Sequence, residues 1–127
     1  MNIDPNSEED VLALAVDAWS KAQIVACRSA WKGHPLGAHF SEVLSQRPDL
    51  EDRLIVLLKS EHQLVVAYAL LTLELMKSPA LGCLPEELLT RKEKVTIVTG
   101  SFADKMELGA FARHIQKKWR TKELKGK

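Results

Sequence analysis

Hydrophobic positions along the chain recur mostly with a helical period. Leu50, Leu54, Leu57 and Leu58 stand at i, i+4, i+7 and i+8, one stripe of a helix. Leu64 to Met76 is apolar nearly all round, broken only by Thr72 and Glu74. A helix apolar on every side is either a membrane span or the centre of a bundle. This run is too short to cross about 30 Å of hydrocarbon, so it predicts the bundle centre. Lys59–Ser60 joins the two helices. Ser60 and Gln63 have the spacing of a capping box.

The flanking segments read in the same way. Ser7 and Asp10 open a long helix predicted to run to about Trp31, with Leu12, Ala15, Trp19, Ala22 and Ala26 as its stripe. Gly33 and Pro35 end it. Leu36, Phe40, Val43 and Leu44 predict a second helix to about Gln46, and Pro48 breaks it and opens the next. Ser78, Pro79, Gly82 and Pro85 mark a loop, with a helical turn at Glu86–Leu89.

Val95-Thr96-Ile97-Val98-Thr99 is β-branched enough to make a strand. No second strand stands out to pair with it, and a lone strand leaves its backbone hydrogen bonds unmet. Thr90 and Glu93 also have capping-box spacing, so the stretch is read as a helix closed by Gly100–Ser101. Asp104 and Glu107 then cap a last helix, whose face is Leu108, Phe111, Ala112, Ile115 and Trp119. Residues 1–6 and 121–127 are read as flexible. The expectation is an all-α, single-domain protein over residues 1–127, with about six helices stacked as antiparallel pairs through short links.

Composition adds limits. A chain of 127 residues, 46% hydrophobic and 28% charged, is an ordinary globular length and mixture. The net charge of +1 is not that of a dedicated nucleic-acid binder. It conceals a gradient, however. Residues 1–17 carry five acids and no base, whereas residues 113–127 carry seven bases against one acid. That asymmetry fits a basic contact surface at one end, mutual attraction of the termini, or a solvated tail. Cys27 and Cys83 belong to no CxxC pair, which suits a reducing, cytoplasmic compartment. The first residues lack the basic and apolar regions of a signal peptide, and no segment reads as a membrane span.

The chain also echoes itself. Val65-Val66-Ala67-Tyr68-Ala69 aligns with Leu108-Gly109-Ala110-Phe111-Ala112 at an offset of 43, which also places Leu54 on Ile97 and Glu61 on Asp104. Ile24-Val25-Ala26-Cys27 is a fainter copy with no capped break before it. The unit LIVLLKSEHQLVVAYALLTLEL resembles a HEAT-type helical repeat: an apolar helix, a short polar turn, then a second helix with small residues, here Ala67 and Ala69, at its packing face. The resemblance covers residues 50–76, and 91–116 more loosely. It departs where a charged residue often opens the second helix, since Val65 and Val66 stand there. It implies a HEAT-like stack of helix pairs and a protein-binding role.

Few residues suggest chemistry. His34 and His39 with Cys27 make an incomplete zinc set, and surface or cap-contacting roles account for the histidines better. Glu61–His62 has the makings of an acid–base pair, but a carboxylate in a first helical turn is favoured by the dipole alone. Ser101 lacks the GxSxG context of a nucleophile, and no phosphate loop occurs. No catalytic residue, metal or cofactor is assigned.

The most suggestive cluster is Arg113, Lys117, Lys118, Trp119 and Arg120. Cations beside an aromatic can hold phosphates and stack a base, or form a protein contact. Against this, cations also suit a helix C-terminus, and Trp119 continues the apolar stripe, so core packing accounts for it. The expected function is therefore protein–protein interaction, as a non-enzymatic adaptor, scaffold or regulatory protein whose partner is another protein. The alternative is nucleic-acid association through the basic last helix. Exposed repeat ends also raise the prospect of a homodimer.

Overall fold

A computed structural model describes residues 8–21, 25–26, 36–99 and 102–125. Of these, 71% are helical. The α-helices are α1 (Glu8–Lys21), α2 (Leu36–Ser45), α3 (Glu51–Leu57), α4 (Gln63–Leu75), α5 (Glu86–Leu89) and α6 (Leu108–Lys125). Three strands accompany them: β1 (Val25–Ala26), β2 (Lys94–Thr99) and β3 (Phe102–Glu107). Single 3-10 turns occupy Pro48–Leu50 and Pro79–Cys83. The mostly helical expectation thus meets a small sheet.

α4 lies at the centre. It packs against α1, α2, α3, α6, β1 and β2. Every residue from Leu64 to Leu73 is buried. Thr72 tolerates this because its hydroxyl donates to the Tyr68 carbonyl at 2.7 Å. Tyr68 in turn stacks on the buried Trp19 of α1, with ring centroids 5.7 Å apart and planes 8° from parallel. α3 contributes Leu54, and Leu58 just beyond it, to the same core.

α4 closes in a Schellman motif. The Ser78 N–H donates to the Leu73 carbonyl and the Lys77 N–H to the Glu74 carbonyl, with Lys77 at φ 60°. Ser78 then caps the following 3-10 turn, accepting from the Ala80 N–H at 3.2 Å.

The stretch around residues 91–102 corrects the sequence reading. Lys94–Thr99 is a strand, not a helix. Its missing partner is Phe102–Glu107, paired antiparallel with Thr99 opposite Phe102 and Lys94 opposite Glu107. β1 adds a short parallel neighbour, Val25 opposite Ile97. Val95 and Ile97 turn into the core with the half-buried Met106, while Lys94 and Lys105 face out. β3 escaped notice because the exposed Asp104 shares its side of the strand with Met106, so the alternation expected of a strand is broken.

Asp104 is consequently a strand residue and does not cap the last helix. That helix begins at Leu108, and backbone carbonyls meet its first N–H groups: Leu108 N–H donates to Glu93 O at 2.7 Å, and Gly109 N–H to Arg91 O at 2.9 Å. The Thr90–Glu93 capping box is absent too. The Thr90 hydroxyl closes α5 instead, donating to the Glu86 carbonyl at 3.0 Å.

Other boundaries also shift. α1 ends at Lys21, and Val25–Ala26 is strand, so the first helix does not run on toward Trp31. α6 continues to Lys125, past Thr121, where the sequence reading placed a flexible end. Ser60 does not cap α4. Its hydroxyl accepts from the His62 N–H at 3.1 Å within the turn. Residues 94–99 and 102–107 therefore pair as strands where the internal echo implied a second helix and a capped break, and the paired-helix unit is seen over residues 50–76. Cys27, Trp31, Gly33, His34, Pro35 and Ser101 lie outside the described residues.

Candidate interaction surface

The last helix is firmly seated before it offers any surface. Gly109 passes so close to the preceding chain that a Cβ there would lie 2.4 Å from the Leu89 carbonyl oxygen. Only glycine allows the approach that brings its N–H to Arg91 O. Leu108, Phe111, Ala112 and Ile115 then face the core, all buried.

One turn farther along, the indole of Trp119 lies against Gly82, where an added Cβ would come within 2.8 Å of the ring. Trp119 is half-buried against the core. Arg120 reaches the same loop, donating from Nη2 to the Gly82 carbonyl at 3.1 Å. Lys118 approaches Glu74 of α4, Nζ to Oε2 3.4 Å, a charge contact that leaves this oxygen without a hydrogen-bond partner.

The five cluster residues therefore divide. Trp119, Lys118 and Arg120 hold α6 to α4 and to the loop at Gly82. Arg113 and Lys117 are exposed and have no partner among the described residues. At i, i+4 and i+7, Arg113, Lys117 and Arg120 share one outward stripe of the helix. From Leu108 to Thr121 the helix contains no acid, and the one acid of α6, Glu123, comes three residues after Arg120.

A second ion pair braces the hairpin. Arg91 donates from Nη1 to Ser60 O at 2.6 Å and from Nη2 to Glu61 O at 3.0 Å, while its Nε and Nη2 also bind Glu93. The Arg91 guanidinium holds the Glu93 carboxyl below its ordinary value of 4.5, against a smaller opposing effect of burial. Arg91 thereby ties the α3–α4 turn to the chain entering β2. No sequence signal marked this contact, because its partners are backbone carbonyls about thirty residues away.

The other sequence candidates separate. Glu61 and His62 are both exposed on the α3–α4 turn, where the Glu61 carbonyl is an acceptor for Arg91. His39 is part of α2. Among the described residues, no three His, Cys, Asp or Glu side chains gather where they could hold a metal. Cys83 is a free, exposed thiol. A shallow groove of about 490 Å³, lined by Leu12, Ala13, Val16, Asp17, Ser20 and Arg53, runs beside α1 and was not anticipated. Its lining joins residues some forty positions apart, which local periodicity does not connect. Among the described residues no helix is long and apolar enough to cross a membrane.

Comparison with family models, curated proteins and solved structures finds no match. A functional reading rests on the surface itself.

Proposed function

We propose that the protein is a non-enzymatic interaction module, an adaptor, scaffold or regulatory protein of the cytoplasm, that binds another protein through α6. In this reading α3 and α4 form one HEAT-like pair, and the hairpin and α6 complete the body around it. One observation carries the proposal: Arg113 and Lys117 stand exposed, with no partner among the described residues, on a helix whose neighbouring residues are committed to fixing it in place. A rigid, charged face of this kind costs little ordering when a partner binds.

Nucleic-acid association through the same helix is the competing reading, favoured by the lack of acid between Leu108 and Thr121. Trp119 counts against it, since a ring packed on Gly82 offers less surface for stacking a base.

Affinity capture from the native source tests the choice. Bound material would be analysed for protein and for nuclease-sensitive nucleic acid, with an R113E/K117E variant alongside. A protein captured by the wild type and lost from the variant is the expected result. Material that vanishes on nuclease treatment and falls steeply with salt would replace the protein-binding reading with the nucleic-acid one.

A further inference from the structure

We infer that the outer stripe of α6 is a docking strip for an acidic helical segment of a partner protein. The inference rests on the protein-binding reading above and adds the chemistry and shape of what is bound. Three observations lead to it.

The first is charge. Arg113, Lys117 and Arg120 project along one face; no acid stands within four residues of Arg113 or Lys117 on the helix, and its one acid, Glu123, follows Arg120 by three. Glu74, which faces the neighbouring Lys118, lies on that residue's side of the helix and is mostly buried. A complementary partner therefore carries carboxylates or phosphates.

The second is spacing. Steps of four and three residues along a helix separate the cations by about 6 and about 4.5 Å. A helix lying alongside repeats its own side chains at the same steps, so Glu or Asp at i, i+4 and i+7 meets all three cations together. An extended peptide places same-side residues about 6.6 Å apart and falls out of step.

The third is the location of the one aromatic in the cluster. Trp119 is directed onto Gly82 and the core instead of into the stripe. Stacking on an aromatic supplies much of the binding of single-stranded nucleic acid, and the stripe does not contain one. Arg120 remains usable although one of its nitrogens is bound to the Gly82 carbonyl, because a guanidinium has five N–H donors.

NMR titration of the full isotope-labelled chain tests the strip. The probe is an alanine-rich helical peptide with Glu at i, i+4 and i+7. The controls are the same peptide with Gln at those positions and a short mixed-sequence DNA duplex. The Glu peptide is expected to shift amide signals at Arg113, Lys117 and Arg120 in low salt. The Gln peptide should bind about tenfold or more weakly, the equivalent of losing three exposed ion pairs.

R113E/K117E should lose the Glu peptide and gain the matching Lys peptide, a reversal that mere damage to the fold does not produce. Both substituted side chains are exposed, so the thermal transition should stay in place. Equal binding of the Glu and Gln peptides, shifts centred on another face, or tighter binding of the duplex would each overturn the inference. The capture experiment keeps the two levels apart. A protein partner lost from R113E/K117E, with the Glu and Gln peptides bound alike, leaves α6 as the binding surface and removes the strip, whereas a partner that the variant still retains removes α6 as the surface as well. Capture of nucleic acid alone removes both.

Discussion

Lys77 is the only non-glycine residue among those described with a positive φ. Both Schellman hydrogen bonds of α4 depend on that backbone geometry, and Lys77 is exposed. A Cβ in the left-handed region is strained, so glycine suits the position better even after its extra freedom in the unfolded chain is counted. Lys77→Gly should stabilise the protein by about 0.5–1 kcal/mol, read from urea denaturation at constant m-value.

Glu93 gives the residue-level pH dependence. Its carboxyl titrates below its ordinary value because Arg91 hydrogen-bonds and attracts the charged form. The folded state therefore gains stability that is present above about pH 4.5 and lost as pH falls through the lowered folded value. The wild type should lose stability relative to Glu93→Gln across that acid range, and the difference between them should be level above it. The carboxylate is 41% exposed, so solvent keeps the effect small. Parallel denaturation curves from pH 3 to 7 check this.

Among the elements, the junction of the hairpin and α6 is the most demanding. Lys94 pairs with Glu107, the ladder continues through the Leu108 N–H to Glu93 O, and Gly109 then slides past Leu89. Gly109→Ala would drive a Cβ into the backbone at Leu89 and Arg91, which has no flexible side chain to move aside. The expected cost is about 2–3 kcal/mol. Loss of the Gly109–Arg91 bond should appear as faster hydrogen exchange at residues 94–98 and 103–109, before α4 exchanges.

Arg91 explains why this junction matters to the rest of the chain. It links the hairpin's entry to the turn before α4, so the sheet is tied to the central helix by side-chain contacts as well as by packing.

Across the whole molecule the sheet creates a hazard. β3 is the outer strand of the order β1-β2-β3, and such an edge can recruit a second copy. The side chains of β3 discourage this. A two-fold symmetric antiparallel pairing sets residues of equal parity together, so the two registers that overlap most of β3 centre on Asp104 facing Asp104 or on Lys105 facing Lys105. Both registers oppose like charges. Replacing both residues, D104T/K105T, should produce concentration-dependent self-association in sedimentation, while the wild type should not associate through this edge. A wild-type homodimer that persists when β3 is blocked by charge would have to use another surface, such as the helix ends.

The helical centre is legible in the chain's local pattern alone. The stripe of α3, the all-round apolarity of α4, the breaks at Pro48 and near Ser60, and the helical turn at Glu86–Leu89 are local periodicities, legible wherever burial repeats every three or four residues. That pattern also marked Trp19 and the Leu108–Ile115 face as core. The fate of Val95–Thr99 depends instead on pairing in three dimensions. Strand formation depends on a partner, and Phe102–Glu107 disguised itself with three charges and two positions that also suit a helix cap. The signal available was the pair Gly100–Ser101 between two six-residue runs, a hairpin dipeptide read as a helix stop.

The basic cluster was legible as a group because it is contiguous in sequence. Its division was not: Trp119 and Arg120 are claimed by Gly82 and Lys118 by Glu74, each some forty residues away. Local sequence records which side of a helix is greasy. Which cations remain for a partner depends on what the rest of the chain brings alongside them.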